Sequence, residues 1–192
     1  MKIILSSRRH HYAARVSISL IVVVLIAGMI GCSGFEDEAV TFADPNLEAA
    51  VRRAIAIPEG PIYPSDLDGL TDLYPMEKNI ADLTGLECCT SLTELYLMWN
   101  QISDISPLAN LTSLIELDLG GNQISDISPL ANLTSLTVLS LYHNQISDIS
   151  PLVDNEGLSE WDLVNLNRNP LSSNSINIYI PQLEGRGVFV VD

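Results

Sequence analysis

Three consecutive segments of the chain repeat one residue pattern every 22 positions. The segments begin at Leu92, Leu114 and Leu136, and each contains the run Asn-Gln-Ile-Ser-Asp-Ile-Ser-Pro-Leu. A fixed period of this length, with leucine, asparagine and isoleucine in constant columns, is typical of a leucine-rich-repeat solenoid. The repeat therefore restricts the fold much more narrowly than it restricts the function.

The spacing of apolar residues within one repeat predicts a single coil of that solenoid. If Leu92 is position 1, leucine or isoleucine occupies positions 1, 4, 6, 11, 14, 17 and 20. The first of these alternate with polar residues, which indicates a half-buried strand. One coil cannot bury seven apolar side chains alone, whereas stacked coils share a core. We therefore expect an α/β solenoid: a right-handed leucine-rich-repeat coil with a parallel β-sheet on its concave side, a helical N-terminal cap and a helix/strand C-terminal cap.

Two polar columns accompany the apolar ones. Position 9 holds an asparagine, and a buried amide can pair with the backbone groups that a turn leaves unsatisfied. We expect a structural asparagine ladder formed by Asn100, Asn122, Asn144 and Asn169. Position 13 holds Asp104, Asp126 and Asp148. Three carboxylates one coil apart repel one another, and no glutamate or histidine joins them to complete a ligand set for a cation. We therefore interpret this column as backbone capping and predict neither a metal nor a cofactor.

The pattern changes at both ends of the repeats. Asp44-Pro45 is typical of an N-cap and the first residue of a helix. A degenerate coil begins at Leu70, the third repeat is followed by an insertion at 154–160, and a final strand is expected at 188–191.

Each Ser-Pro pair is expected to start a short helical turn with the serine as N-cap. Adjacent Cys88 and Cys89 are expected to be thiols rather than part of a disulfide framework.

The N-terminus predicts export. The first 31 residues are basic and contain no acid, and an apolar run covers 16–30. These 15 residues are fewer than the roughly 20 that a spanning helix needs, so we favour a signal peptide over an uncleaved anchor. Met29-Ile30-Gly31-Cys32 resembles a bacterial lipobox, which implies lipidation of Cys32 and attachment to a membrane through the lipid. An ordinary signal peptide with an incidental cysteine is the alternative.

These features divide the chain into five segments. They are a signal peptide at 1–31, the lipidated cysteine and a flexible tether at 32–41, the N-terminal helical cap at 42–69, leucine-rich repeats at 70–160, and the last coil with the C-terminal cap at 161–192.

The charge of the chain restricts its partners. The whole sequence carries −15, and removing 1–31 leaves five basic residues against all 24 acids, a net charge of −19. Nucleic acids and anionic headgroups repel such a chain. We therefore exclude nucleic acid as a partner and expect membrane contact only through the lipid.

The helix after Asp44-Pro45, the 22-residue coils and the Asn-Gln-Ile-Ser-Asp-Ile-Ser-Pro-Leu-Ala-Asn-Leu-Thr core resemble internalin-type leucine-rich repeats of bacterial surface proteins. The resemblance covers about 42–192. It implies a monomer in the cell envelope, outside the cytoplasm, that binds a protein or peptide through its concave face.

On that face, positions 3, 5, 7 and 8 of each coil point outward and differ between coils. Exposed aromatic side chains beside Gly120-Gly121 are costly without a purpose, and aromatics are enriched at binding hot spots. The candidate ligand-binding residues are Tyr96, Met98, Trp99, Asp118, Tyr142, His143 and Arg168. The alternative is that Trp99 and Met98 cover the edge of the irregular first coil.

Catalysis is not expected. After 1–31 the only histidine is His143, and it has no neighbouring nucleophile or ligand set in the sequence. The sequence favours a non-enzymatic, membrane-tethered binding module outside the cytoplasm. An intracellular or single-pass-anchored scaffold and a binder of envelope glycans are the alternatives.

Overall fold

The computed structural model describes residues 38–192. The predicted signal peptide, the lipidation site Cys32 and most of the tether lie outside the described residues. Within 38–192, no helix has both the length and the apolar composition needed to cross a membrane.

Six short parallel strands form one sheet, in which each strand pairs with the next along the chain. Leu95 pairs with Leu117 and Leu117 with Leu139, so the 22-residue period becomes the register of the sheet. The predicted leucine-rich-repeat solenoid is confirmed. The strands are β1 Asp72–Leu73, β2 Glu94–Tyr96, β3 Glu116–Asp118, β4 Val138–Ser140, β5 Leu163–Asn165 and β6 Phe189–Val191.

The leucine and isoleucine columns form one continuous core along the stack. Leu95, Leu117 and Leu139 are at most 1% exposed, and the isoleucines at positions 11 and 14 are equally buried. Positions 3 and 5 of each strand point to the other side of the sheet, which we call the concave face. The repeat thus places every outward side chain in a column that runs across the strands.

Short helical turns form the opposite side of the solenoid. Asp104 Oδ1 accepts a hydrogen bond from the Ser106 backbone N–H at 2.8 Å, and Asp126 and Asp148 accept the matching bonds at 2.9 Å. The aspartates cap these turns, as expected, but the serines are not the N-caps. The turns are 3₁₀ helices at Leu86–Cys88, Ser106–Leu108 and Ser128–Asn132, and α3 at Ser150–Asp154.

Two helices, α1 Pro45–Ala54 and α2 Pro64–Leu67, precede the first coil. Asp44 Oδ1 accepts hydrogen bonds from the first turn of α1, while Oδ2 accepts one from the Ala81 N–H at 2.9 Å. Burial raises the pKa of Asp44, but the bonds from Ala81, Asn46 and Leu47 outweigh it and lower the pKa. Asp44 therefore joins the helical cap to the first coil.

The last coils absorb the insertion without breaking the sheet. Leu139 pairs with Val164, 25 residues later, which accommodates the three extra residues expected there. Asn155 replaces a core leucine and is fully buried, but its amide donates to the carbonyls of Leu130 and Leu133. Arg186 then binds the carbonyls of Val153 and Asn155, which fixes the C-terminal end against the insertion.

The C-terminal cap contains a π-helical turn, Ser175–Tyr179, followed by α4 Ile180–Glu184 and β6. In the sequence, Ile176, Ile180 and Leu183 have the i, i+4, i+7 spacing of a regular apolar helical stripe. Instead, Ile176 is 46% exposed, because the wider π turn moves it off the buried side that Ile180 and Leu183 share.

Of the two adjacent cysteines, Cys89 is a buried free thiol, and burial raises its pKa to about 12. Cys88 is disulfide-bonded. The expectation of two thiols is therefore correct for Cys89 and wrong for Cys88.

Candidate functional site

A ladder of asparagine side chains fixes the backbone where each strand of the concave face ends. Asn122 donates to the carbonyls of Leu97 and Leu119 at 3.0 and 2.9 Å, and its Oδ1 accepts from the Ile102 N–H at 3.1 Å. Asn144 makes the corresponding bonds one coil later. Asn100 and Asn169 are the outer members of the same series. Each amide thus satisfies buried backbone groups of two consecutive coils.

The residue before each ladder position adopts a left-handed backbone conformation. The column contains Glu77, Trp99, Gly121, His143 and Arg168, with φ between 53° and 69°. This conformation costs an L-residue about 1 kcal/mol, and glycine avoids most of that cost. Four of the five coils nevertheless carry a large polar or aromatic side chain here. Strain retained in this way is a reason to look for function at these side chains.

The Trp99 ring packs against Gly121 of the next coil. A β-carbon on Gly121 would lie 2.3 Å from Cε3 of Trp99, so only glycine permits this packing. The indole ring continues across that coil to Tyr142 and His143, with ring centroids 6.3 and 5.7 Å away. The glycine gap seen in the sequence is therefore occupied by Trp99, whose ring lies toward the later coils rather than over the first.

Arg168 completes this cluster from the last full coil. Its Cζ lies 5.4 Å from the centroid of the Tyr142 ring, a cation–π arrangement. Trp99, Tyr142, His143 and Arg168 thus form one continuous group, which we call the aromatic cluster. Trp99 remains 47% exposed, so the cluster is a surface rather than part of the core.

The other three candidates lie outside the aromatic cluster. Met98 is half-buried, and its carbonyl accepts from the Glu77 N–H at 3.0 Å. Asp118 Oδ1 accepts from the Gly120 N–H at 2.8 Å and so stabilises the backbone of the glycine pair. Tyr96 lies nearer the N-terminal end of the face, where its ring is 5.1 Å from that of Tyr74.

Two tyrosine–glutamate pairs form a second group, which sequence reasoning missed. Tyr74 Oη donates to Glu94 at 2.5 Å, and Tyr96 Oη donates to Glu116 one coil later. The hydrogen bond to its glutamate is the main cause that raises the pKa of each tyrosine to about 12. The signal was present in the sequence, because tyrosine at position 5 precedes glutamate at position 3 of the next coil twice.

The described residues contain no candidate metal cluster. Across 38–192, no group of three or more histidine, cysteine or acidic side chains is placed to hold a metal ion. A cavity of about 400 Å³ lies at the C-terminal end, away from the aromatic cluster, and is lined by Trp161, Phe189 and their neighbours. The concave face is therefore the surface on which the candidate residues converge.

Comparison with known proteins agrees with this architecture. The family model of leucine-rich repeats matches two overlapping copies, at 90–132 and 112–154. An internalin structure, inlF from Listeria monocytogenes, is 34% identical, covers 78% of this chain and has a TM-score of 0.68. The functional domain of InlJ from the same organism, described as including a cysteine ladder, is 28% identical over 70% of this chain with a TM-score of 0.60.

The chain spans only 43% of the inlF structure and 30% of the InlJ domain. The comparison with curated proteins gave no match. The leucine-rich repeats of this chain are therefore similar in sequence and fold to those of the internalins. What the chain does has to be argued from its own surface.

Proposed function

We propose that this chain is a non-enzymatic binding module that recognises a protein or peptide through its concave face. The observation that carries the proposal is the aromatic cluster. Trp99 packs on Gly121 and lies edge-on to the Tyr142 ring, and Arg168 packs on the Tyr142 ring. Tryptophan, tyrosine and arginine are the residues most enriched at interface hot spots, and rigid rings lose little entropy on binding.

The shape of the surface favours a polypeptide ligand. The outward columns cross the sheet from Tyr74 in the first coil to Arg168 in the last, so a partner can contact several coils at once. Such an extended contact suits a segment of protein better than a small molecule, which prefers an enclosed pocket. A glycan that stacks on the exposed Trp99 ring or the half-buried Tyr142 ring is the second candidate.

To test this proposal, peptides that bind the full chain are selected from a random displayed library. For the selected peptides, Trp99→Ala and Tyr142→Ala should each weaken binding by about 30-fold, as expected for hot-spot truncation. Tyr63→Ala removes a similarly exposed ring from the N-terminal cap and should leave binding unchanged. Unfolding midpoints establish that all three variants are folded.

Peptides that bind equally well to all of these variants would contradict the proposal. Binding of cell-envelope oligosaccharides that depends on Trp99, with no peptide selected, would favour the glycan alternative.

We also propose that the module is tethered outside the cytoplasm by lipid on Cys32. Because Cys89 is a free thiol, Cys88 is disulfide-bonded and Cys32 is the third cysteine of the chain, this proposal requires that the disulfide partner of Cys88 lies on another polypeptide. The support is the basic segment, the apolar run and the Met29-Ile30-Gly31-Cys32 sequence, together with the net charge of −19 that the remaining chain would carry. A chain so acidic has no electrostatic affinity for anionic lipid, so an acyl anchor supplies the attraction.

The intact mass of protein purified from membranes tests the tether. A chain that begins at Cys32 and carries acyl mass is expected, whereas a chain that begins at Met1 would contradict the proposal and favour a membrane anchor or an intracellular scaffold. Peptide mapping without reductant adds a second check. A thioether to lipid occupies the Cys32 sulfur, so a peptide pair that joins Cys32 to Cys88 by a disulfide would exclude lipidation.

A further inference from the structure

The part of the concave face nearest the N-terminus differs in chemistry from the aromatic cluster. It contains the two tyrosine–glutamate pairs together with Asp72 and Glu77. Tyr74 and Tyr96 stand side by side with ring centroids 5.1 Å apart, and each holds the glutamate of the following coil. We call this group of four residues, Tyr74, Tyr96, Glu94 and Glu116, the tyrosine–glutamate patch.

Each glutamate of the patch uses one carboxylate oxygen for the tyrosine. The bonds from Tyr74 and Tyr96 both reach Oε2. Within 38–192, the only ion pair joins Arg52 to Glu48 in the N-terminal cap, so neither Glu94 nor Glu116 is neutralised by a cation of this part of the chain. Each of the two carboxylates is thus held in place by one oxygen, and its second oxygen can accept a hydrogen bond from a ligand.

The positively charged residues near the concave face do not neutralise the negative charge of the tyrosine–glutamate patch. Arg168 lies at the other end of the sheet against the Tyr142 ring, and Lys78 follows Glu77 at the turn beyond the strand. The face therefore has a negative end, where aromatic rings flank the carboxylates, and an end that contains Arg168 and the aromatic cluster.

We infer that the partner presents a basic segment, and that a lysine or arginine of this segment binds the tyrosine–glutamate patch. A carboxylate pair accepts hydrogen bonds from ammonium or guanidinium, and tyrosine faces attract the same cations. The tyrosine hydroxyls fix the glutamate rotamers before the ligand arrives, which reduces the ordering cost of binding. Complementary charge also speeds encounter and selects against acidic partners. This inference rests on the proposed function of the concave face.

The residue content of peptides selected on the full chain tests the inference. We expect lysine and arginine to be enriched over the starting library. The Glu94→Gln/Glu116→Gln variant keeps an acceptor for each tyrosine but removes both charges, and it should weaken binding of the selected peptides by about 3- to 20-fold, the range for two exposed ion pairs. Glu59→Gln/Glu156→Gln removes two charges from exposed positions off this face and should have no effect. Added salt should weaken binding to the native chain and much less to the patch variant.

Two other outcomes separate the inference from the proposed function. Peptides that need Trp99 but show no enrichment of lysine or arginine would overturn the basic partner and leave the concave-face function standing. Peptides insensitive to both the patch and Trp99 would overturn both.

Discussion

Trp99 packs on the backbone of Gly121, one coil further along the solenoid, so closely that no other residue fits at position 121. The contact carries the indole ring across the third coil to Tyr142 and His143 in the fourth. Two coils that the 22-residue period places about 10 Å apart thereby share one surface. The geometry of the aromatic cluster depends on a glycine that has no side chain of its own.

Gly121→Ala should therefore disturb the cluster without altering any of its side chains. The new β-carbon would lie 2.3 Å from the indole, and φ of 69° adds strain of about 1 kcal/mol. In a Trp161→Phe background, where Trp99 is the only tryptophan, its fluorescence emission should shift to longer wavelength as the ring becomes more exposed. Gly60→Ala is the matched control, because Gly60 also has positive φ but a β-carbon there would meet nothing within 4 Å. Unchanged emission in Gly121→Ala would show that the glycine does not position Trp99.

The asparagine ladder should dominate the stability of the sheet edge. Asn122→Ala leaves the carbonyls of Leu97 and Leu119 and the Ile102 N–H without their partner, and should lower the free energy of unfolding by about 3 kcal/mol. Gln123→Ala, at the exposed neighbouring position, should change it by less than about 0.5 kcal/mol. Urea unfolding of both variants gives the comparison, and equal stabilities would argue against a structural ladder.

The cap should be coupled to the first coil through Asp44. The folded-state pKa of Asp44 lies below its ordinary value of 3.8. The ionised carboxylate therefore contributes fully to the stability of the folded chain above pH 3.8, and this contribution is lost as the pH falls through the folded-state pKa. Asp44→Ala should destabilise the chain by about 2 kcal/mol at neutral pH and by less in acid. Asp68→Ala changes an exposed aspartate in the same cap and should have little effect. A loss of stability in Asp44→Ala that is the same at all pH values would contradict this role for the carboxylate.

The tyrosine–glutamate pairs should be visible in an ultraviolet titration. The chain has six tyrosines, and Tyr74 and Tyr96 should ionise only near pH 12, since each hydroxyl donates to a carboxylate. Because the pKa of each tyrosine is raised from the ordinary value of 10, its hydrogen bond stabilises the folded chain fully below pH 10. This stabilisation is lost as the pH rises from 10 to about 12. Glu94→Gln/Glu116→Gln should bring both tyrosines back toward the ordinary range, and Glu156→Gln should not. Two late-ionising tyrosines that persist in the patch variant would show that the glutamates are not the cause.

The sequence predicted the elements that depend on a repeated local pattern. The columns of Leu95, Leu117 and Leu139 predicted both the strands and their register, because stacking is the only way to bury them. The π turn that exposes Ile176 had no such pattern, since it depends on how the C-terminal cap packs.

The concave residues were predicted as columns but not as contacts. Position numbering placed Trp99, Tyr142 and Arg168 on one face, yet it could not show that Trp99 crosses a coil, because that contact depends on the absence of a β-carbon at Gly121. Comparison of residues within one column did not show that Glu94 and Glu116 pair with tyrosines, because Tyr74 is at position 5 of its coil and Glu94 is at position 3 of the next.

The most direct test of the concave face as a protein-binding surface is site-specific photo-crosslinking in cells that make the chain naturally. A photoreactive amino acid in place of Ser140, which lies on β4 among the outward columns, should form a discrete adduct with one partner protein. The same amino acid in place of exposed Ser125, beyond the strand, should form none. Trp99→Ala should remove the Ser140 adduct. An adduct from Ser125 alone, or one from Ser140 that persists without Trp99, would contradict the concave face as the binding surface.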